Sequence, residues 1–133
     1  MNIPHSEEEK EEDFLEYLYM GWKSGTEIRP HQVKMHLELT DAELKCLESG
    51  LMESGYLRKR AENSGYRLTE LGKVQGEDCL LRHHNLTQFL QMTCGLEEEE
   101  AEENACRMEH VISGNVLQGV QEFLKYGETY DRV

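Results

Sequence analysis

The chain has 133 residues, with 14 Lys and Arg against 27 Asp and Glu, for a net charge of −13. That length suits one ordinary domain or two small ones, and a hydrophobic share of 38% excludes a chain too polar to bury a core. No run of about eighteen apolar residues occurs, which excludes a membrane-spanning helix. Met1-Asn2-Ile3-Pro4-His5 lacks the charged-then-apolar layout of a signal peptide. The four cysteines, Cys46, Cys79, Cys94 and Cys106, stand singly, without knuckle spacing or disulfide-scaffold density. A reducing, cytoplasmic setting is expected.

In chain order, Ser6-Glu7-Glu8-Glu9 has the form of a capping box, and Phe14, Leu15, Leu18 and Tyr19 recur at helical spacing. A first helix is predicted from about Glu7 to Lys23. Pro30 suits the first turn of a short second helix carrying Val33, Met35 and Leu37. Thr40 and Glu43 then frame a third, with Leu44, Leu47, Leu51 and Met52 on one side and Ser54-Gly55 at its end. Tyr56 to Arg60 and Gly65 to Leu68 read as short strands about a turn rich in Asn, Ser and Gly, a β-hairpin. Helix, turn, helix and hairpin is the order of a winged helix. Thr69 opens a long helix with Leu71, Val74, Leu81, Phe89 and Leu90 on its apolar side, ended by Cys94-Gly95. Glu97 to Met108 and a segment opening at Ser113 are two further helices.

Charge is concentrated. Residues 1–16 hold seven acids and one lysine, and residues 96–109 seven acids and one arginine, so each segment carries −6. The hairpin holds Arg58, Lys59, Arg60 and Arg67 against Glu62, a basic patch of the kind that meets phosphate. The third helix is acidic, with Asp41, Glu43, Glu48 and Glu53 against Lys45. Acids facing a phosphate lattice cost affinity unless they point away, so compensation is expected from the hairpin, Arg29 and Lys34.

Cys106, Glu109 and His110 stand at i, i+3 and i+4, one face of a helix. Thiolate, carboxylate and imidazole form a mixed set suited to a first-row divalent ion. Further donors are available at His84, with His83 beside it, and at Asp13 and Glu16. The alternative is a buried Cys beside an ordinary Glu-His pair.

Asn104-Ala105-Cys106-Arg107-Met108-Glu109-His110-Val111-Ile112-Ser113 resembles the metal-binding signature of the diphtheria-toxin-repressor family of metal-dependent transcriptional repressors. Glu12 to Tyr19 resembles that family's first helix, Arg67 to Lys73 the exit from its wing, and Arg82 to Leu86 its dimer-domain helix. The resemblance implies metal ligands at Asp13, Glu16, His84, Cys106, Glu109 and His110. Asp13 matches the manganese type, where iron-type members have Met, whereas Cys106 matches the iron type, where manganese-type members have Glu. Gln88 and Glu102 replace a Glu and a His of the iron-type second site. An extra C-terminal domain is not expected, which makes the chain similar to the short manganese-transport-regulator subclass.

The expected fold is mainly α with a small β-hairpin: a winged helix-turn-helix over 1–70, then a helical metal-binding and dimerisation domain over 71–133. The expected function is a homodimeric regulator that binds a double-stranded DNA operator when Fe²⁺ or Mn²⁺ is bound. Lys34, Lys45, Arg58, Lys59, Arg60 and Arg67 are the cations expected to meet DNA. No catalysis, membrane or small organic substrate is expected, since no nucleophile stands with a base. The alternative is a metal-sensing or protein-interaction module of the same fold that has lost operator binding.

Overall fold

The structure is a computed structural model that describes residues 6–130. Met1 to His5, read above as lacking a signal layout, and the last three residues of the expected second domain lie outside the described residues. Six helices follow in order: α1 (Glu7–Lys23), α2 (Pro30–His36), α3 (Asp41–Glu53), α4 (Glu70–Cys94), α5 (Glu98–Met108) and α6 (Gly114–Tyr130). The chain is mainly helical, as expected. None of these helices is long and apolar enough to cross a membrane.

The caps are those the sequence announces. Ser6 Oγ accepts from Glu9 N at 3.2 Å. Thr40 Oγ1 accepts from Glu43 N while Glu43 Oε1 accepts from Thr40 N, both at 3.1 Å. Thr69 Oγ1 accepts from Gly72 N at 3.0 Å and donates to Gly55 O at 2.6 Å. Gly25, Gly55 and Gly95, just past three helix ends, have φ of 75°, 82° and 64°.

The chain packs as two compact units that divide between Cys79 and Leu80, inside α4. In the first unit Phe14, Leu15, Leu18 and Tyr19 of α1 are buried, as are Val33 of α2 and Leu44, Leu47 and Leu51 of α3. The Phe14 ring meets Tyr66 edge-on at 5.2 Å.

The expected hairpin is represented by one antiparallel bridge, Leu57 to Leu68, rather than by two strands. Arg58 N donates to Arg67 O at 2.9 Å, but the ladder stops there. Tyr66 N turns to Ile28 O at 2.8 Å and Gly65 N to Glu27 Oε1 at 2.6 Å, so their donors serve the segment before α2.

The apolar side predicted for α4 is corrected in its first half. Leu71, Val74 and Leu81 are 54%, 65% and 52% exposed, while Gly72, Gly76 and Cys79 are buried. The small residues face inward because α4 meets its neighbours at backbone distance. A Cβ at Gly72 would collide with the Tyr56 carbonyl oxygen, and one at Gly76 would lie 2.7 Å from Tyr19 Cβ and 2.9 Å from Leu15 O. Met35 of α2 and Val116 of α6 are likewise exposed.

In the second unit Leu86 and Leu90 of α4 pack with Ala101 and Ala105 of α5 and Val120 and Leu124 of α6. Two alanines four apart give α5 a narrow apolar face. Its first turn carries Glu98, Glu99 and Glu100, where carboxylates favour the helix dipole.

Candidate metal centre

Met108 is the last residue of α5, and Glu109 is its C-cap, with φ −59° and ψ −27°. The helical ladder still reaches Glu109, whose N donates to Ala105 O at 3.0 Å. The helix ends at Met108, as expected, so His110 lies past its end, and Cys106 and Glu109 remain one turn apart. Val111 N and Ile112 N both close on Met108 O, at 3.1 and 3.0 Å, and wind the chain tightly after the cap.

This turn buries the Glu109 side chain completely, and the His110 side chain beside it is 2% exposed. His110 Nε2 lies 3.3 Å from Glu109 Oε1. From α4, His83 Nδ1 lies 4.0 Å from Glu109 Oε2, and Arg82 Nη1 donates to Glu109 O at 3.4 Å. Thr87 Oγ1 donates to His83 O at 2.8 Å, one turn on along the same helix. A carboxylate out of water is costly without opposite charge, and two imidazole nitrogens and a carboxylate are donors suited to a first-row divalent ion. The residues present fit such an ion.

Of the expected ligands, the second unit brings Glu109 and His110 together, and Cys106 is half-buried one turn before Glu109. His84 is exposed, and its neighbour His83 is the histidine that reaches Glu109. The sequence carries the pair His83-His84 but does not tell which of two adjacent side chains, about 100° apart on a helix, turns inward. Asp13 and Glu16 are half-buried in the first unit, one turn apart on α1. Gln88 and Glu102 are both exposed.

The expected DNA-facing cations divide into two groups. Lys34 Nζ lies 2.6 Å from Asp41 Oδ1. Arg60 Nη1 donates to Ala61 O at 3.3 Å and Ser64 O at 3.1 Å, with its guanidinium 5.8 Å from the Tyr66 ring, so it clasps the 61–64 turn. Lys45, Arg58, Lys59 and Arg67 are exposed and have no ion-pair partner among the described residues.

The acids of α3 are engaged as well. Lys10 Nζ donates to Glu43 Oε2 at 2.7 Å. That bond and the Thr40 donors hold the Glu43 carboxyl at a pKa of about 2. The Lys34 ammonium lowers Asp41 in the same way. Burial, and then the Glu48 carboxylate, push the Tyr66 phenol up. Three of the four acids of α3 thus face partners within the first unit.

A buried Glu-His pair at the end of one helix with a histidine from another is a donor set that could hold a metal ion. Residues 69–131 match the family described as iron dependent repressor, metal binding and dimerisation domain. That segment is similar to the diphtheria-toxin-repressor family, the family that the sequence resembles. It is 28% identical over 115 residues to an uncharacterized HTH-type transcriptional regulator of Methanocaldococcus jannaschii, covering 86% of this chain and 91% of that one. It is 27% identical over 120 residues to the HTH-type transcriptional regulator MntR of Bacillus subtilis, covering 90% of this chain and 83% of that one. The structure of the manganese regulator SloR matches with a TM-score of 0.77 at 22% identity, over 87% of this chain. The chain spans about half of that structure's length, 54%.

Proposed function

We propose that this chain is a divalent-metal-responsive, DNA-binding transcriptional regulator that acts as a homodimer in the cytoplasm, with Fe²⁺ or Mn²⁺ as the ion. The observation that carries the reading is the buried Glu109 carboxylate between His110 and His83, inside the segment that matches the metal-binding family. Glu109, His110 and His83 are the proposed core of the ligand set, with Cys106 one turn away. Asp13 and Glu16 belong to it on the resemblance of α1, and His84 stays a candidate on the same ground. The ion supplies a compact positive charge that these carboxylates and imidazoles can share. His110 Nε2 lies 3.3 Å from Glu109 Oε1 and His83 Nδ1 4.0 Å from Glu109 Oε2, so the donors are already gathered.

The DNA-binding part is a winged helix-turn-helix, with α2 and α3 as the helix pair and residues 57–68 as the wing. Arg58, Lys59, Arg67 and Lys45 are the proposed phosphate contacts, and Lys34 and Arg60 serve the fold. Metal favours the DNA-binding form by population shift. The alternative, a module that has lost operator binding, draws its motive from the acidity of α3; the pairing of Asp41 with Lys34 and Glu43 with Lys10 weakens that motive. A mobility shift on double-stranded DNA with and without Mn²⁺ tests the proposal. Metal-dependent, salt-sensitive retardation supports it, and equal retardation in chelator overturns it.

A further inference from the structure

The first unit contains an open cleft of about 590 Å³ that lies outside the metal centre. Its walls include Trp22 at the end of α1, Ile28, Leu68, and the cations Arg58, Arg67 and Lys73. We propose that this cleft binds a small organic carboxylate with an apolar, aromatic-sized body.

The size lies within the range of small-molecule sites. Ile28 and Leu68 are buried and provide an apolar floor. Trp22 is the chain's single tryptophan, and its indole is 53% exposed although the chain has buried apolar space nearby. Lys73 Nζ stands 4.4 Å from the centre of that ring and also donates to Glu70 Oε1 at 3.1 Å. The indole is thereby fixed as a wall. Charge in the cleft is not balanced. Glu27 Oε1 accepts from Gly65 N, and Glu27 Oε2 lies 3.8 Å from Arg29, so that carboxylate is already engaged. Among the described residues neither Arg58 nor Arg67 has an ion-pair partner.

Arg58 N and Arg67 O are bonded to each other, so the two side chains spring from paired positions of one bridge. Two guanidiniums on a fixed backbone suit a planar carboxylate. In a chain of net charge −13, an uncompensated pair of arginines over an apolar floor selects an amphipathic monoanion. Since the same arginines are proposed DNA contacts, ligand and duplex would compete; the cleft itself does not depend on that reading.

The single tryptophan makes the test direct. The full chain is titrated with phenylacetate while the Trp22 indole N–H resonance is followed, with 2-phenylethanol and acetate as the neutral and bodiless controls. The expected result is a saturable Trp22 shift with phenylacetate, and binding weaker by about tenfold or more for each control. In Arg58→Ala/Arg67→Ala, phenylacetate binds no better than 2-phenylethanol, with the remaining resonances unchanged. Either no saturable shift, acetate binding equal to phenylacetate, or wild-type preference in the double variant overturns the proposal.

Discussion

Gly76 of α4 and Tyr19 of α1 approach so closely that a Cβ on the glycine would lie 2.7 Å from the tyrosine's own Cβ. The other close atom is the Leu15 carbonyl oxygen, at 2.9 Å. Neither can rotate away, because both belong to the frame of α1. Alanine raises helix propensity by about 1 kcal/mol over glycine, but overpacking a fixed contact costs about 1–3 kcal/mol. Gly76→Ala is therefore expected to lower stability by up to about 2 kcal/mol, read as a shifted midpoint in urea at unchanged slope. A more stable variant would show that α4 does not touch α1 here.

Lys10 and Glu43 give the first unit an acid-side pH dependence. The Glu43 carboxyl ordinarily titrates at 4.5 and is held at about 2 by Lys10 and by Thr40. A folded-state pKa below the unfolded one adds stability that is complete above 4.5 and is lost as pH falls toward 2. Glu43→Gln keeps an acceptor for Thr40 N and removes the charge. Its stability curve is expected to be flatter than wild type between those limits, and the difference to shrink in high salt, since the pair is partly exposed. Parallel curves in thermal melts from pH 2 to 5 would count against the assignment.

The helices were legible because their ends are marked by side chains that act locally. Ser6, Thr40 and Thr69 each accept from a backbone N–H three residues on, and Gly25, Gly55 and Gly95 take the left-handed conformation. The Glu109-His110 pair was legible for the same reason, being adjacent in the chain. Long-range packing was not. The inward face of α4 is made of Gly72, Gly76 and Cys79, and a reading that places large apolar residues inside selects Leu71 and Val74 instead. Arg60 counts as surface charge in the sequence, yet it is spent on two carbonyls of its own turn.

His83 and His84 separate geometry from resemblance at one residue. His83 lies 4.0 Å from Glu109, and His84 is exposed. Removal of a ligand should cost at least the roughly 10- to 100-fold that even second-layer partners cost. His83→Ala, Glu109→Ala and His110→Ala are expected to weaken Mn²⁺ binding by that much or more while the fold is retained, and His84→Ala to have little effect. Calorimetric titration decides; the reverse order for the two histidines would place the ligand at His84.

DNA binding is expected to respond differently to the exposed Arg58 and Arg67 than to Arg60. Arg58 and Arg67 are exposed, so reversing both charges removes two phosphate contacts and lowers the slope of log affinity against log salt by about two. Binding to all sequences should weaken alike. Arg60→Ala loosens the 61–64 turn but leaves that slope close to wild type, because its guanidinium already bonds Ala61 O and Ser64 O. Fluorescence anisotropy across a salt series reads both, and a slope lost with Arg60 alone would return it to the DNA surface.

Cys106 bears on the choice between the two metals. It is half-buried one helical turn before Glu109, close enough in sequence to share an ion with the Glu109-His110 pair. Thiolate is a softer donor than the carboxylate that manganese-type members place there, and Mn²⁺ stands lowest in the usual affinity order. Asp13, a hard oxygen donor, pulls the other way, so a permissive site is expected. Cys106→Glu should weaken Fe²⁺ relative to Mn²⁺, compared under anaerobic conditions by competition against one chelator. If the ratio of the two affinities is unchanged, the sulfur makes no bond to the ion and Cys106 is a small packing residue of α5.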